Sequence, residues 1–339
     1  MMPQPASRAL VVAEAGVNHN GSLALALELV DAAAEANADA VKFQTFRTAE
    51  MMSRATPKAA YQLQGTSEEE SYFDMGRRLE LDEAAHTALA QRAREHGVTF
   101  LSTAFDRPSI ELLERLGVPM HKIPSGEVTN LPHLRAIAAL GKPVLLSTGM
   151  ADLAEVEAAV AALVDAGLPR DRITLLHCTT EYPAPFADLN LRAIVTMRAA
   201  FDLPVGYSDH SEGILAPAVA VALGATVIEK HLTLDRGMEG PDHAASLEPD
   251  AFGEMVRAIR QVEAALGDGD KRPAASEMPN IAIARRSIVA ARPIRAGEVF
   301  SQENLAAKRP GTGVSPMRWD EIVGQEATRD YDTDEMIEP

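Results

Sequence analysis

The stretches GYSDHSEG (Gly206–Gly213) and VIEKHLTLD (Val227–Asp235) decide how the chain is read. Each opens on apolar residues and closes on Ser208, Asp209 and His210 in one case, and on Glu229, Lys230 and His231 in the other. That is how a buried strand looks when it delivers polar side chains to the loop that follows it. Six further segments share the pattern: ALVVAEAG, ADAVKFQTF, VTFLSTAF, MHKIPSGE, PVLLSTGM and ITLLHCTT. Between them lie Ala- and Leu-rich stretches with helical spacing, such as LALALELVDAAAEA and DLAEVEAAVAALVDAG. Strand alternating with helix predicts parallel βαβ units, and eight of them over about 265 residues predict an α/β fold of the closed (β/α)8 TIM-barrel type. A doubly wound open sheet is the alternative.

The polar strand ends are Glu14; Lys42 and Gln44; Ser102 and Thr103; Lys122, Ser125 and Glu127; Ser147 and Thr148; His177, Thr179 and Thr180; Ser208, Asp209 and His210; and Glu229, Lys230 and His231. Turn capping explains any one of them. Eight loaded ends on the face where a barrel gathers its strand C-termini predict a shared polar pocket. Two readings of His210 and His231 stay open: turn caps, or a pair of neutral imidazoles for a borderline divalent ion such as Mn or Zn. Lys42, Lys122 and Lys230 allow a Schiff-base amine, or, beside so many hydroxyls, a site for phosphate and carboxylate. Lys42 and Gln44 are two apart and share a face, whereas Lys230 faces away from Glu229 and His231, towards the pocket or towards an ion pair behind the wall. Glu14, Glu127 and Asp242 are carboxylates able to move protons or hold hydroxyls. Cys178 diverges from His177, so the two form no nucleophile–base pair and a small core residue is expected. NHNG (Asn18–Gly21) is a turn and helix-start signal, close enough to Glu14 to line the pocket.

Hydrophobic residues make up 46% and charged residues 24%, enough for a sizeable core and against global disorder. A net charge of -17 disfavours a nucleic-acid partner. The single cysteine rules out an intrachain disulfide. MMPQPASRAL lacks the plan of a signal peptide, and the longest apolar run is broken by Pro217 and Gly224, so a cytoplasmic protein without a membrane span is expected. After the barrel (1–267), GDGDKRPAASEMPN opens a predicted linker (268–284), and 285–339 reads as a small β-rich domain with little core of its own.

Taken in order, AEAGVNHNGS, VKFQTF, FLSTAFD, KIPSGEVTNLP, LLSTGMA, LLHCTTEYPAPF, GYSDHSEG, IEKHLTLD, GPDHAASLEP and KRPGTGVSP resemble the sialic (nonulosonic) acid synthase family, a barrel followed by an antifreeze-like (SAF) domain. The resemblance implies condensation of phosphoenolpyruvate with an open-chain N-acylated mannosamine-type sugar and release of phosphate. It implies a divalent metal, Mn or Mg, on His210 and His231, and phosphoenolpyruvate on Lys42, Gln44, Thr103, Lys122, Ser125, Ser147, Tyr182 and Ser208. Glu14 and Glu127 become the proton-transfer pair, and Asp242 holds sugar hydroxyls. Arg309 reaches the sugar's N-acyl group from the partner of a domain-swapped homodimer.

Within the family, Thr180 in place of Asn, CTTEYPAPF, and YQLQ (Tyr61–Gln64) are similar to legionaminic acid synthases, which use 2,4-diacetamido-2,4,6-trideoxymannose and call for a less polar pocket. N-acetylneuraminate synthesis from N-acetylmannosamine is the alternative. A Schiff-base aldolase and a non-catalytic carbohydrate-binding protein are more distant ones.

Overall fold

Each inward-facing apolar side chain of the barrel is followed, two residues later, by the residue that lines its mouth. The computed structural model describes residues 8–67 and 69–338, the side chains of residues 64 and 65 excepted. Most of the MMPQPASRAL stretch and the Gln64 side chain therefore lie outside the described residues. Eight parallel strands close on themselves in sequence order: β1 (Leu10–Gly16), β2 (Ala40–Thr45), β3 (Thr99–Ala104), β4 (His121–Ile123), β5 (Val144–Ser147), β6 (Ile173–Cys178), β7 (Val205–Asp209) and β8 (Val227–His231). Closure is set by the pairing of β1 with β8, which puts Glu14 opposite His231.

Val12, Ala40, Leu101, Leu145, Leu176 and Val227 form one apolar cluster inside the barrel, with Met120 packed against it. Side chains alternate along a strand with period two. Two residues beyond these positions stand Glu14, Lys42, Thr103, Ser147, Cys178, Glu229 and Lys122, and all seven line one cavity. On β7 the apolar position is Gly206, where a Cβ would sit 2.6 Å from Leu176 Cδ2 and 2.5 Å from the Val227 carbonyl. Glycine there leaves room for the apolar layer to close beneath Ser208. The plug is apolar and the mouth polar, as expected of this architecture.

Outside the strands the main core packs them against α1 (Leu23–Glu35), then, after the insertion described next, a ring of helices. Between β2 and β3 the chain makes three short helices, α2 (Thr48–Met51), α3 (Ala60–Gly65) and α4 (Tyr72–Leu79), before the longer α5 (Glu83–Glu95). Val17, Phe46, Met75 and Leu79 form an apolar cluster there, with Met51, Tyr72 and Phe105 against it. The ring continues with α6 (Arg107–Leu116), α7 (Leu131–Ala138), α8 (Leu153–Asp165), α9 (Ala193–Phe201), α10 (Leu215–Ala222) and α11 (Pro249–Leu266). Polar caps start several of them: Asp106 accepts from Ser109 N at 2.8 Å, and Asp152 and Glu155 form a reciprocal capping box.

The chain divides into two compact units after Asp268. In the second, residues read as a linker carry a turn at Ala275–Glu277 and helix α12 (Met278–Ala284). Strands β9 (Ser287–Ala290) and β10 (Leu305–Lys308) pair antiparallel, and a last helix α13 (Trp319–Ile322) follows. Ile288, Ile294, Phe300, Leu305, Tyr331 and Ile337 belong to its small separate core. No helix of the described residues is long and apolar enough to cross a membrane.

Candidate active site

The floor of the cavity is a buried cluster of charges. Lys42 Nζ lies 2.7 Å from Glu14 Oε2 and 3.6 Å from Glu229 Oε2, and it donates to Thr103 Oγ1 at 2.9 Å. Lys122 Nζ lies 3.6 Å from Glu229 Oε1, which also accepts from Ser208 Oγ at 2.9 Å. Gln44 Nε2 reaches Glu14 Oε1 at 3.4 Å. The two carboxyls are driven apart. Burial lifts Glu14 to about 7, with Lys42 only partly opposing it. Burial would lift Glu229 as well, but Lys122 and Lys42 outweigh it and hold that group down, near 2. Divergent carboxyls of this kind mark a group that carries a proton and a group that carries charge. When Glu14 is protonated, two lysines face one ionised Glu229, and the floor is set for an anion.

Above the floor stand the histidines. His210 donates from Nδ1 to the Thr179 carbonyl at 2.7 Å, which leaves the Nε2 lone pair free. His231 Nδ1 is buried with no hydrogen-bond partner among the described residues and lies 4.0 Å from Asp242 Oδ2. The rings are 5.6 Å apart. Burial pulls His210 down to about 4 and His231 well below its usual range, so both are neutral, while it pushes Asp242 up to about 6. Two neutral imidazoles are a donor pair of the kind a borderline divalent cation takes. Among the described residues no group of three or more His, Cys, Asp or Glu is placed to hold a metal ion, so the two imidazoles stand without a third ligand of those types. The Tyr182 ring packs tilted against His210, centroids 4.1 Å apart, and against Tyr61 of α3 at 4.8 Å.

Ser147 Oγ and Thr180 Oγ1 are further buried polar atoms without a partner among the described residues, both in the cavity wall. Gly149 makes room for Thr180 and Ser125: a Cβ there would lie 2.2 Å from Thr180 Oγ1 and 2.8 Å from Ser125 Oγ. Ser125 accepts from Gly149 N at 3.0 Å and contacts Cys178 Sγ at 3.1 Å. The outer wall is apolar, with Met51, Met52, Tyr61, Tyr72, Met75 and Phe105 from the insertion and β3 loop.

Of the residues singled out from sequence, Glu14, Lys42, Gln44, Thr103, Lys122, Ser125, Ser147, Tyr182, Ser208, His210, His231 and Asp242 line this cavity. Glu127 is not in its wall. It ends a single turn, Ser125–Glu127, and its Oε2 accepts from Asn130 Nδ2 at 2.5 Å, beside the N-cap of α7. Arg309 belongs to the second unit, where its Nε donates to the Ala284 carbonyl at 3.0 Å. Lys230 pairs with Asp209 at 2.6 Å, both fully buried behind the wall. His177 also faces outward, with Nε2 2.7 Å from the Leu189 carbonyl. Glu229 was the omission, although its two-residue spacing from His231 gives it the same face. Cys178, expected in the core, faces the cavity.

A barrel mouth that gathers two lysines, two opposed carboxyls and two imidazoles in one cavity has the make-up of an enzyme active site. Residues 29–271 match the NeuB family and residues 285–339 the SAF domain, and the chain belongs to the NeuB family. It is 52% identical to N,N'-diacetyllegionaminic acid synthase of Campylobacter jejuni over 97% of this chain and 99% of that protein. The protein of the same name from Legionella pneumophila is 47% identical over 93% and 89%. Among solved structures, N-acetylneuraminic acid (sialic acid) synthetase of Leptospira borgpetersenii, in complex with citrate, superposes with a TM-score of 0.70 at 35% identity. That match covers 81% of this chain and 90% of that one.

Proposed function

We propose that the chain condenses phosphoenolpyruvate with open-chain 2,4-diacetamido-2,4,6-trideoxymannose to give the nine-carbon legionaminate and phosphate. The observation that carries this reading is the paired floor, Lys42 and Lys122 against Glu14 and Glu229. Lys42, Lys122, Ser125, Ser147 and Ser208 hold the phosphate and carboxylate of phosphoenolpyruvate. The enol carbon forms a bond to the sugar aldehyde carbon, whose oxygen takes a proton. Water adds at C2, and the C2–O bond breaks as phosphate leaves. Glu14, poised near neutrality, is the group that passes protons at this centre. His210 and His231 would hold a divalent ion, Mn or Mg, which supplies Lewis-acid polarisation of the aldehyde when bound. Asp242 holds sugar hydroxyls, and Arg309 of a partner subunit in a domain-swapped dimer engages the N-acyl group. The apolar outer wall suits a sugar with a methyl at C6 and a second acetamido group better than one with hydroxyls there. The names of the relatives point the same way.

The test is phosphate release from phosphoenolpyruvate with Mn, run in parallel against the diacetamido sugar and N-acetylmannosamine, with chelator controls. A higher kcat/KM for the diacetamido sugar is expected. Preference for N-acetylmannosamine would move the assignment to the neuraminate reaction, and borohydride trapping of pyruvate on Lys42 or Lys122 would replace it with Schiff-base chemistry.

A further inference from the structure

We propose that Asn18 is a positioning residue that fixes Asp242 and His231 relative to each other, and that the NHNG turn serves as a latch on the loop after β8. The inference rests on the reaction proposed above. Asn18 is buried and does not touch the cavity. Its Nδ2 donates to the Leu232 carbonyl at 2.9 Å and to Ser246 Oγ at 2.9 Å. Leu232 directly follows His231, and Ser246 Oγ in turn donates to the Asp242 carbonyl at 2.7 Å. One amide nitrogen thus holds both ends of the loop that carries Asp242 into the site. The neck of that loop is closed by Leu247 N on the His231 carbonyl at 2.9 Å and Leu232 N on the Glu14 carbonyl at 2.8 Å.

The latch has a second point. Asn20 Nδ2 donates to the Glu239 carbonyl at 2.9 Å, and the His243 ring lies between Thr233 Oγ1 at 2.7 Å and Asn20 Oδ1 at 3.3 Å. Such bonds between loops far apart in sequence restrict the loop without adding apolar packing, so their loss frees Asp242 to move. A primary amide offers two N–H groups from one uncharged atom. Aspartate has the same shape and no donor, and sets a carboxylate against the Leu232 carbonyl. Lys42 and Lys122 themselves make none of these contacts.

Two-substrate kinetics with phosphoenolpyruvate, the diacetamido sugar and Mn test this. Asn18→Asp is expected to raise the KM for the sugar roughly tenfold or more and to leave that for phosphoenolpyruvate within about twofold. Ser246→Ala, which keeps the bond to Leu232, is expected to shift the sugar KM the same way by about threefold. A purely structural role would lower Tm with both KM values moving together or neither moving, and either result overturns the inference. If Asn18→Asp does not fold, Ser246→Ala decides by the same split. A wild type that releases no phosphate with either sugar refutes the reaction and the inference with it. A working wild type with unchanged variants refutes the inference alone.

Discussion

Replacing Glu14 with Gln should make the protein more stable at alkaline pH and nearly inactive at every pH. Burial lifts the Glu14 carboxyl from 4.5 to about 7, and Lys42, 2.7 Å away, only partly offsets this. A carboxyl raised by folding stabilises the folded state fully below its unfolded value. That contribution is lost as pH rises through the folded value. At 1.36 kcal/mol per pH unit, the loss in the wild type between about pH 4.5 and pH 7 amounts to at most about 3 kcal/mol. The amide of the variant carries no charge at any pH and escapes the loss. Glu14→Gln and wild type should therefore melt together near about pH 5 and diverge by up to about 6 °C near about pH 9, the variant being higher. Denaturation at those two pH values measures it, and kcat/KM should lose an ionisation near neutrality. A stability difference that does not change with pH, or a wild type that gains on the variant as pH rises, refutes the account of Glu14 as the neutral-poised group.

Glu229→Gln strips Lys42 and Lys122 of a shared counter-charge inside the barrel, and a loss of about 3–5 kcal/mol is expected in urea denaturation; unchanged stability would refute the pairing. Lys230→Met leaves Asp209 buried without its ion pair, so a similar fall in stability is expected while the KM values of the folded fraction stay put. His210→Ala and His231→Ala should each weaken Mn binding by calorimetry by more than about tenfold, and full-strength binding in either variant would refute the metal assignment. Arg309→Ala should keep Tm and raise the sugar KM by about tenfold or more, and wild-type kinetics in that variant would sink the proposed role.

What the sequence shows and what it hides follow from the period of two. Wherever a strand runs straight to its end, spacing alone sorts inward from outward. Lys42 and Gln44 face the cavity together, and Lys230 lies behind the wall although it sits between Glu229 and His231. The same rule carries Glu229 inward. Its weight is not legible from one strand, because its partners come from β2 and β4 and meet it only when β8 closes against β1. The rule fails where backbone geometry changes. β4 stops at Ile123 and the chain enters a single helical turn, so Ser125 returns to the cavity while Glu127 turns to Asn130. A straight strand would have put both on the face opposite Lys122. The apolar wall was hidden for another reason. It is built by three short helices between β2 and β3, too short for a helical period to show, and their shared apolar cluster exists only once α2 and α4 fold over Phe46 and Phe105. The parts nearest the reacting atoms are thus the most legible, because strands impose them. The parts that face the variable end of the sugar depend on loop packing, and there the comparison of two sugars carries the decision.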